Sequence, residues 1–249
     1  MRQCTMIWEY SEVFHPEIPE DTDGRAFALA CCACMEEAAV KHARIMGLGV
    51  EVLHRERLAW VLARMHLDIP RSSVPKGGLR VKTWPVEVEK LQFRRDFLVM
   101  DAQDRVCVRG VTFWVVMDME TRRIKKMPEF IAGCTPPGLV PRAMEPEQAR
   151  PEGAGEAPEL ASFTVRQEDT DSNRHVNNLR YIRWMLDCLP ESGTSARLSA
   201  LRVLFRAEAF EGDTVLVRGE PDQRKGAFRL GLFRRADGQE LVRAVTLRD

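Results

Sequence analysis

Between residues 28 and 46, apolar side chains recur at 28, 31, 32, 35, 39, 43 and 46, the spacing that lines one face of a helix. Glu37, Lys41 and Arg44 fall on the other face, and Gly47 and Gly49 supply the stop. A short β-like stretch at residues 6–14 precedes this helix. After it come runs rich in Val, Leu, Phe and Trp at residues 58–69, 79–89, 91–101 and 106–117. Turns with Gly or Asp, at Lys76-Gly77-Gly78 and at residues 101–104, separate them, so they read as strands.

The same order returns in shorter form. A strand is expected at residues 163–168 and a helix at 178–189, with Leu179, Ile182, Met185, Leu186 and Leu189 on one face. Asn177 is the expected N-cap, and Pro190 and Gly193 end the helix. Strands follow at 198–207, 214–220, 227–235 and 240–247. Each half therefore reads strand, helix, then about four antiparallel strands, an α+β layer arrangement in tandem that points to internal duplication. Residues 128–158 hold half of the 14 prolines, with Gly133, Gly138, Gly153 and Gly155, and show no periodicity. They are expected to link a domain at 1–127 to one at 159–249.

Composition narrows the function classes. The chain has 249 residues, 45% hydrophobic and 30% charged, which fits a globular protein. Lys+Arg and Asp+Glu are both 37, so there is no basic surplus for general nucleic-acid binding. The apolar run at 26–35 is far short of the ~20 residues of a membrane span. It follows Glu17, Glu20, Asp21 and Asp23, where a signal peptide would be basic, so no leader, anchor or membrane insertion is expected. Seven cysteines are odd in number and sparse, which suits a reducing cytoplasm.

Most chemistry-bearing motifs are missing: there is no G-x-S-x-G, P-loop, G-x-G-x-x-G or H-E-x-x-H. Cys31 and Cys34 form a C-x-x-C inside an Ala-rich apolar helix, without a second pair, so buried small residues rather than a zinc site are expected. His15, His42, His54 and His66 have no acidic or nucleophilic constellation close in sequence and read as structural. The basic run Arg122, Arg123, Lys125, Lys126 is either a solvated turn or a contact for an acidic partner. The informative segment is 169–184. Asp171, Asn173 and His175 alternate, so an extended backbone would set all three on one side. Carboxylate, carboxamide and imidazole together can orient a carbonyl, hold a water and move a proton. The following helix N-terminus offers N–H groups for an oxyanion. A capping loop rich in Asx residues is the competing reading.

The run Asp171-x-Asn173-x-His175-Val176-Asn177-Asn178-x-x-Tyr181-Ile182-x-Trp184 resembles the signature of acyl-[acyl-carrier-protein] thioesterases, the plant plastid enzymes and their bacterial relatives. Residues 60–64 (Trp-Val-Leu-Ala-Arg), 81–85 (Val-Lys-Thr-Trp-Pro) and 94–97 (Arg-Arg-Asp-Phe) are similar to family blocks in the same order, as is the stretch from Glu37 to Gly49. The resemblance implies two hotdog domains in tandem, each a long helix wrapped by an antiparallel sheet, the first housing the acyl chain. It implies a catalytic set of Asp171, Asn173, His175 and Glu208, with no cofactor and no metal. Ala209 stands where plant members often carry a cysteine, and Cys188 belongs to a helix end, so a cysteine-nucleophile mechanism is not expected. The implied reaction is hydrolysis of fatty acyl-ACP. In it Glu208 and Asn173 would activate water, Asp171 and His175 would orient and move the proton, and the N–H groups of Val176, Asn177 and Asn178 would polarise the carbonyl. Direct attack by Asp171 is the rival route. Arg180, Arg183, Arg122 and Arg123 are candidate contacts for an acidic carrier protein. A bacterial, cytoplasmic member is expected, with a homodimer as the candidate assembly. The competing functions are an acyl-CoA thioesterase, a hotdog hydratase and a non-catalytic acyl-binding regulator. The hydratase places His five residues after Asp, where this chain has Val176. The regulator would need a DNA-binding helix pair, for which there is no room.

Overall fold

The computed structural model describes residues 8–19, 23–70, 75, 77–89, 91–136, 138, 140–147, 150–171, 173–191 and 196–249. The expected strand start at Met6, the turn residue Lys76 and the helix stop Gly193 lie outside these. The chain divides into two compact units, Met1–Glu17 with Cys31–Pro146, and Ile18–Ala30 with Glu147–Asp249.

The first unit holds β1 (Tyr10–Phe14), most of α1 (Arg25–Ile45), α2 (Val50–Arg55), β2 (Leu58–Asp68), β3 (Leu79–Glu89), β4 (Gln92–Met100), β5 (Val106–Asp118), β6 (Ile124–Lys125) and α3 (Glu129–Ala132). Its strands run β1-β3-β4-β5-β2, with β6 on β5, and every pair is antiparallel. The predicted apolar face of α1 is the buried one: Ala28, Cys31, Cys32, Met35 and Ala39 are closed to solvent. Helix and sheet approach closely where β5 carries Gly110, since a Cβ there would lie 2.5 Å from the Met35 Cε. His42, on the same face, meets the buried Arg95 guanidinium of β4 at 2.9 Å.

The second unit holds the start of α1, β7 (Glu159–Thr164), α4 (Asn178–Asp187), β8 (Leu198–Phe205), β9 (Thr214–Pro221), β10 (Ala227–Arg234) and β11 (Glu240–Arg248). The order is β8-β11-β10-β9-β7, again antiparallel throughout. The strand expected at 163–168 lies earlier, because Gln167–Asp169 wind into a 3-10 turn in which Asp169 Oδ2 accepts the Arg166 N–H at 2.8 Å. α4 is short, not the long helix expected in each half. Tyr181, Ile182, Trp184, Met185 and Leu186 are buried from it, at about 1.5–3 kcal/mol for each large aliphatic side chain. Asn177 Oδ1 caps its start by accepting the Leu179 N–H at 2.7 Å. Its last carbonyls are taken by Arg25, whose Nη1 donates to Leu186 O and Leu189 O at 2.9 Å.

The proline-rich stretch is not a bare linker. It contains α3, buries Ile131 and Met144 in the first unit, and buries Ala154 and Ala157 in the second. Prolines cannot donate, so its carbonyls find side-chain donors instead. Trp84 Nε1 donates to Pro141 O at 2.9 Å and Arg94 Nη2 to Met144 O at 2.7 Å, while Arg218 donates to Gly155 O.

Candidate active site

Residues 169–178 do not form a strand. Asp171 N donates to His175 O at 2.8 Å, and Arg174 N donates back to Asp171 O at 3.0 Å. Arg174 takes the left-handed conformation, φ 63°. The Asp171 side chain closes the loop, its Oδ1 accepting the N–H of Asn173 at 2.8 Å and of His175 at 3.1 Å. This is an Asx turn, the reading that alternating Asp and Asn also allow. The expectation of three side chains ranged along one extended edge is corrected accordingly. Asn173 sits exposed in the turn, and its carboxamide bonds no other described residue.

His175 leaves the turn toward the segment after β8. Val176 N donates to Ala209 O at 3.0 Å, and His175 pairs with Phe210 in an isolated antiparallel bridge. That main-chain contact brings together two residues distant in sequence: His175 Nδ1 lies 3.3 Å from Glu208 Oε1. Both are partly shielded, at 19% and 30% side-chain exposure, so the pair is open to a substrate yet only partly screened by water. The Phe210 ring stands edge-on to the imidazole, 5.1 Å between centroids, and is itself exposed.

The expected oxyanion donors reduce to one. Val176 N–H is committed to Ala209 O and Asn177 N–H to Asp169 O at 2.9 Å. Leu179 N–H is spent on the Asn177 cap. Among the described residues, Asn178 N–H alone remains at the helix start, where the dipole is positive. Arg180, a candidate carrier contact, pairs its Nε with Asp169 at 2.8 Å and stays partly exposed. Arg183 is exposed on α4. Arg122 and Arg123 are exposed in the β5–β6 hairpin of the first unit, a turn organised by Asp118, which also holds Lys125 at 2.8 Å.

Four residues that support the pair went unassigned in sequence. The Tyr181 hydroxyl accepts the Ala209 N–H at 2.8 Å. Arg234 Nη2 donates to Glu208 O at 2.5 Å, Asp213 Oδ2 accepts the Phe210 N–H at 2.9 Å, and Asp169 holds Arg180. The available signal was a tyrosine on the buried face of α4, because a buried phenol seeks a polar partner. Cysteine chemistry fits poorly: burial pushes the Cys188 thiol up to about 11 and the Cys34 thiol to about 11. Among the described residues, no helix is long and apolar enough to cross a membrane.

Family models describe the two halves of the chain. The acyl-ACP thioesterase N-terminal domain matches residues 15–133 and the C-terminal domain matches residues 153–247. A chloroplastic palmitoyl-acyl carrier protein thioesterase of Cuphea hookeriana is 28% identical over 228 residues, 85% of this chain and 55% of that protein. Its counterpart from Gossypium hirsutum is 29% identical over 237 residues, 85% of this chain and 56% of that protein. The chain thus spans about half the length of the curated relatives it matches. Among solved structures, the 12:0-ACP thioesterase from Umbellularia californica superposes with a TM-score of 0.84 at 23% identity, covering 97% of each chain. An acyl-ACP thioesterase from Bacteroides thetaiotaomicron gives 0.80 at 21% identity, with 97% of each covered. The two solved structures share the fold, a tandem double hotdog of class α+β. With both of its halves matched by the family's two domain models, this chain belongs to the acyl-ACP thioesterase family.

Proposed function

We propose that the chain hydrolyses a fatty acyl thioester of acyl carrier protein to a free fatty acid and the carrier thiol, ending chain elongation. The observation that carries this reading is the His175–Glu208 pair beside the start of α4, at 3.3 Å. Catalytic hydrogen bonds without substrate often run long and tighten on binding. Glu208 faces Nδ1, which selects the tautomer and leaves Nε2 to act as base. The roles of the two residues are therefore exchanged relative to the sequence expectation: His175 takes the proton and Glu208 orients and stabilises the imidazolium, as in hydrolytic triads. Water attacks the thioester carbonyl carbon while His175 Nε2 accepts its proton. The oxyanion is met by Asn178 N–H and the Asn173 carboxamide. Collapse breaks the C–S bond, and the thiolate, whose conjugate acid has a pKa of ~8.5, recovers the proton from His175. No step calls for a metal or cofactor. Asp171 serves through the turn.

The first unit is proposed to house the acyl chain, with the small apolar face of α1 as its lining. Arg183, Arg122 and Arg123 are the proposed contacts for the acidic carrier. The six described cysteines are thiols outside any disulfide among the described residues, which supports a reducing, cytoplasmic setting. A homodimer is the proposed assembly, and light scattering checks it. The deciding experiment offers a ladder of acyl-ACP and acyl-CoA thioesters and measures the acids released. Hydrolysis favouring acyl-ACP is the expected result. A preference for acyl-CoA would reassign the carrier, and no hydrolysis of any thioester would refute the reading.

A further inference from the structure

The segment that carries Glu208 follows the end of β8 and is pinned by side chains from elsewhere in the second unit. Arg234 holds the Glu208 carbonyl and Asp213 the Phe210 N–H, both at the solvent edge. Between them, the Tyr181 hydroxyl accepts the Ala209 N–H at 2.8 Å, and this contact is fully enclosed, with Tyr181 at 2% exposure and Ala209 at 0%. Burial decides which of these anchors matters most. An exposed N–H that loses its acceptor turns to water, whereas a buried one left unsatisfied costs about 1–3 kcal/mol. Burial also pushes the Tyr181 phenol well above its ordinary range, so the hydroxyl stays neutral at any working pH.

The direction of the linkage is informative. Ala209 O accepts from Val176, the residue after His175, while Ala209 N–H is held by Tyr181, the fourth residue of the helix that Asn177 caps. The peptide groups on both sides of Ala209 are thus fastened to the piece of chain that carries His175. We propose that Tyr181 is a positioning residue: by holding the Ala209 N–H from α4, its hydroxyl sets the separation of Glu208 from His175. Its ring packs edge-on against Trp184, 5.9 Å between centroids, and Tyr181→Phe preserves that contact while removing the acceptor.

The kinetic part of the test rests on the proposed hydrolase reading; the spectroscopic part does not. In the full chain, the ring-nitrogen NMR resonances of His175 are compared among wild type, Tyr181→Phe and Glu208→Ala. The expected result is that Tyr181→Phe moves the Nδ1 resonance a substantial part of the way toward its position in Glu208→Ala. Where an acyl thioester is turned over, Tyr181→Phe lowers kcat about 10- to 100-fold with KM within about twofold. In a Glu208→Gln background it costs less than about twofold more, because its effect runs through Glu208. The chain has only two tyrosines, so 3-fluorotyrosine labelling gives two fluorine signals and keeps the fold intact should Tyr181→Phe unfold. The Tyr181 signal should shift on Glu208→Ala and the Tyr10 signal should not. Unchanged His175 and Tyr181 resonances, or a kcat loss that multiplies fully in the Glu208→Gln background, would overturn the assignment. An inactive wild type with coupled resonances would sink the hydrolase reading and leave the positioning intact.

Discussion

Asp171 is the residue on which the turn and the mechanism make different demands. If its carboxylate is a nucleophile or proton carrier, Asp171→Asn destroys activity as completely as Asp171→Ala. If it only shapes the turn, the amide oxygen of Asn can still accept from Asn173 and His175 N–H groups. The structure favours the second outcome, since Asp171 Oδ1 receives both donors, at 2.8 and 3.1 Å. A charged acceptor is roughly twice as strong as a neutral one, and a typical net hydrogen bond contributes about 1 kcal/mol. Two bonds weakened from about 2 to about 1 kcal/mol each give about 2 kcal/mol, and partial exposure of the turn reduces this to about 1 kcal/mol. At 1.36 kcal/mol per decade, Asp171→Asn should therefore cost about fivefold in kcat. Asp171→Ala loses both bonds, releases the left-handed Arg174 turn and frees His175, so a loss of about 10²-fold or more is expected. Steady-state hydrolysis of an acyl-ACP thioester, with a thermal melt of each protein, measures both. An Asn variant as inactive as the Ala variant, with its melting temperature intact, would refute the argument, and so would oxygen-18 from water appearing in Asp171 after a single turnover.

His175→Ala and Glu208→Gln should each lower kcat by about 10²–10⁴ with little change in melting temperature, because both side chains are partly exposed; an active Glu208→Gln enzyme would remove Glu208 from the site. Gly110→Ala should destabilise the first unit by about 1–3 kcal/mol, since the new methyl meets the Met35 thioether and the Leu67 side chain, both buried; an unchanged melting temperature would contradict the packing. Acid should weaken the fold below about pH 4. Lys125 and the Thr121 N–H hold the Asp118 carboxyl below its ordinary value, and the Arg224 N–H does the same for Asp222. A carboxyl depressed in the folded state contributes stability above the unfolded value of 3.8 and loses it as pH falls toward the folded one. Asp96, pushed up by burial against the pull of Arg94, works in the opposite sense. Melting temperatures recorded from pH 6 to pH 2 should decline at the acid end, less steeply in Asp118→Asn, and a flat profile would refute this.

Periodicity carried most of the architecture because burial is one-sided. α1 and the strands from Leu58 to Asp118 are legible since their apolar faces must meet a partner. α2 was missed because six residues cannot display a helical repeat, and β6 because two residues cannot alternate. At the site, residue types were legible and their arrangement was not. Asp-x-Asn-x-His satisfies both a strand and an Asx turn, and the choice lies in the positive φ of Arg174 and the donors that Asp171 collects. The Arg180–Asp169 pair is not legible in the sequence, because Asp169, eleven positions earlier, comes beside Arg180 only once the 3-10 turn forms. Tyr181 stands in the family-like run but off the apolar face read from the spacing, and nothing local reveals that its hydroxyl reaches a peptide beyond the next strand.

Arg25 bears on how this protein can be taken apart. Its guanidinium closes the carbonyl end of α4, yet it lies in the segment 18–30, ahead of all of the first unit except the stretch that carries β1. A gene cut in the proline-rich stretch would deliver a second half without residues 18–30, in which Leu186 O and Leu189 O lose the Arg25 donor. The second unit does not begin at the seam the prolines mark, and a fragment meant to fold as that unit has to carry this N-terminal segment with it.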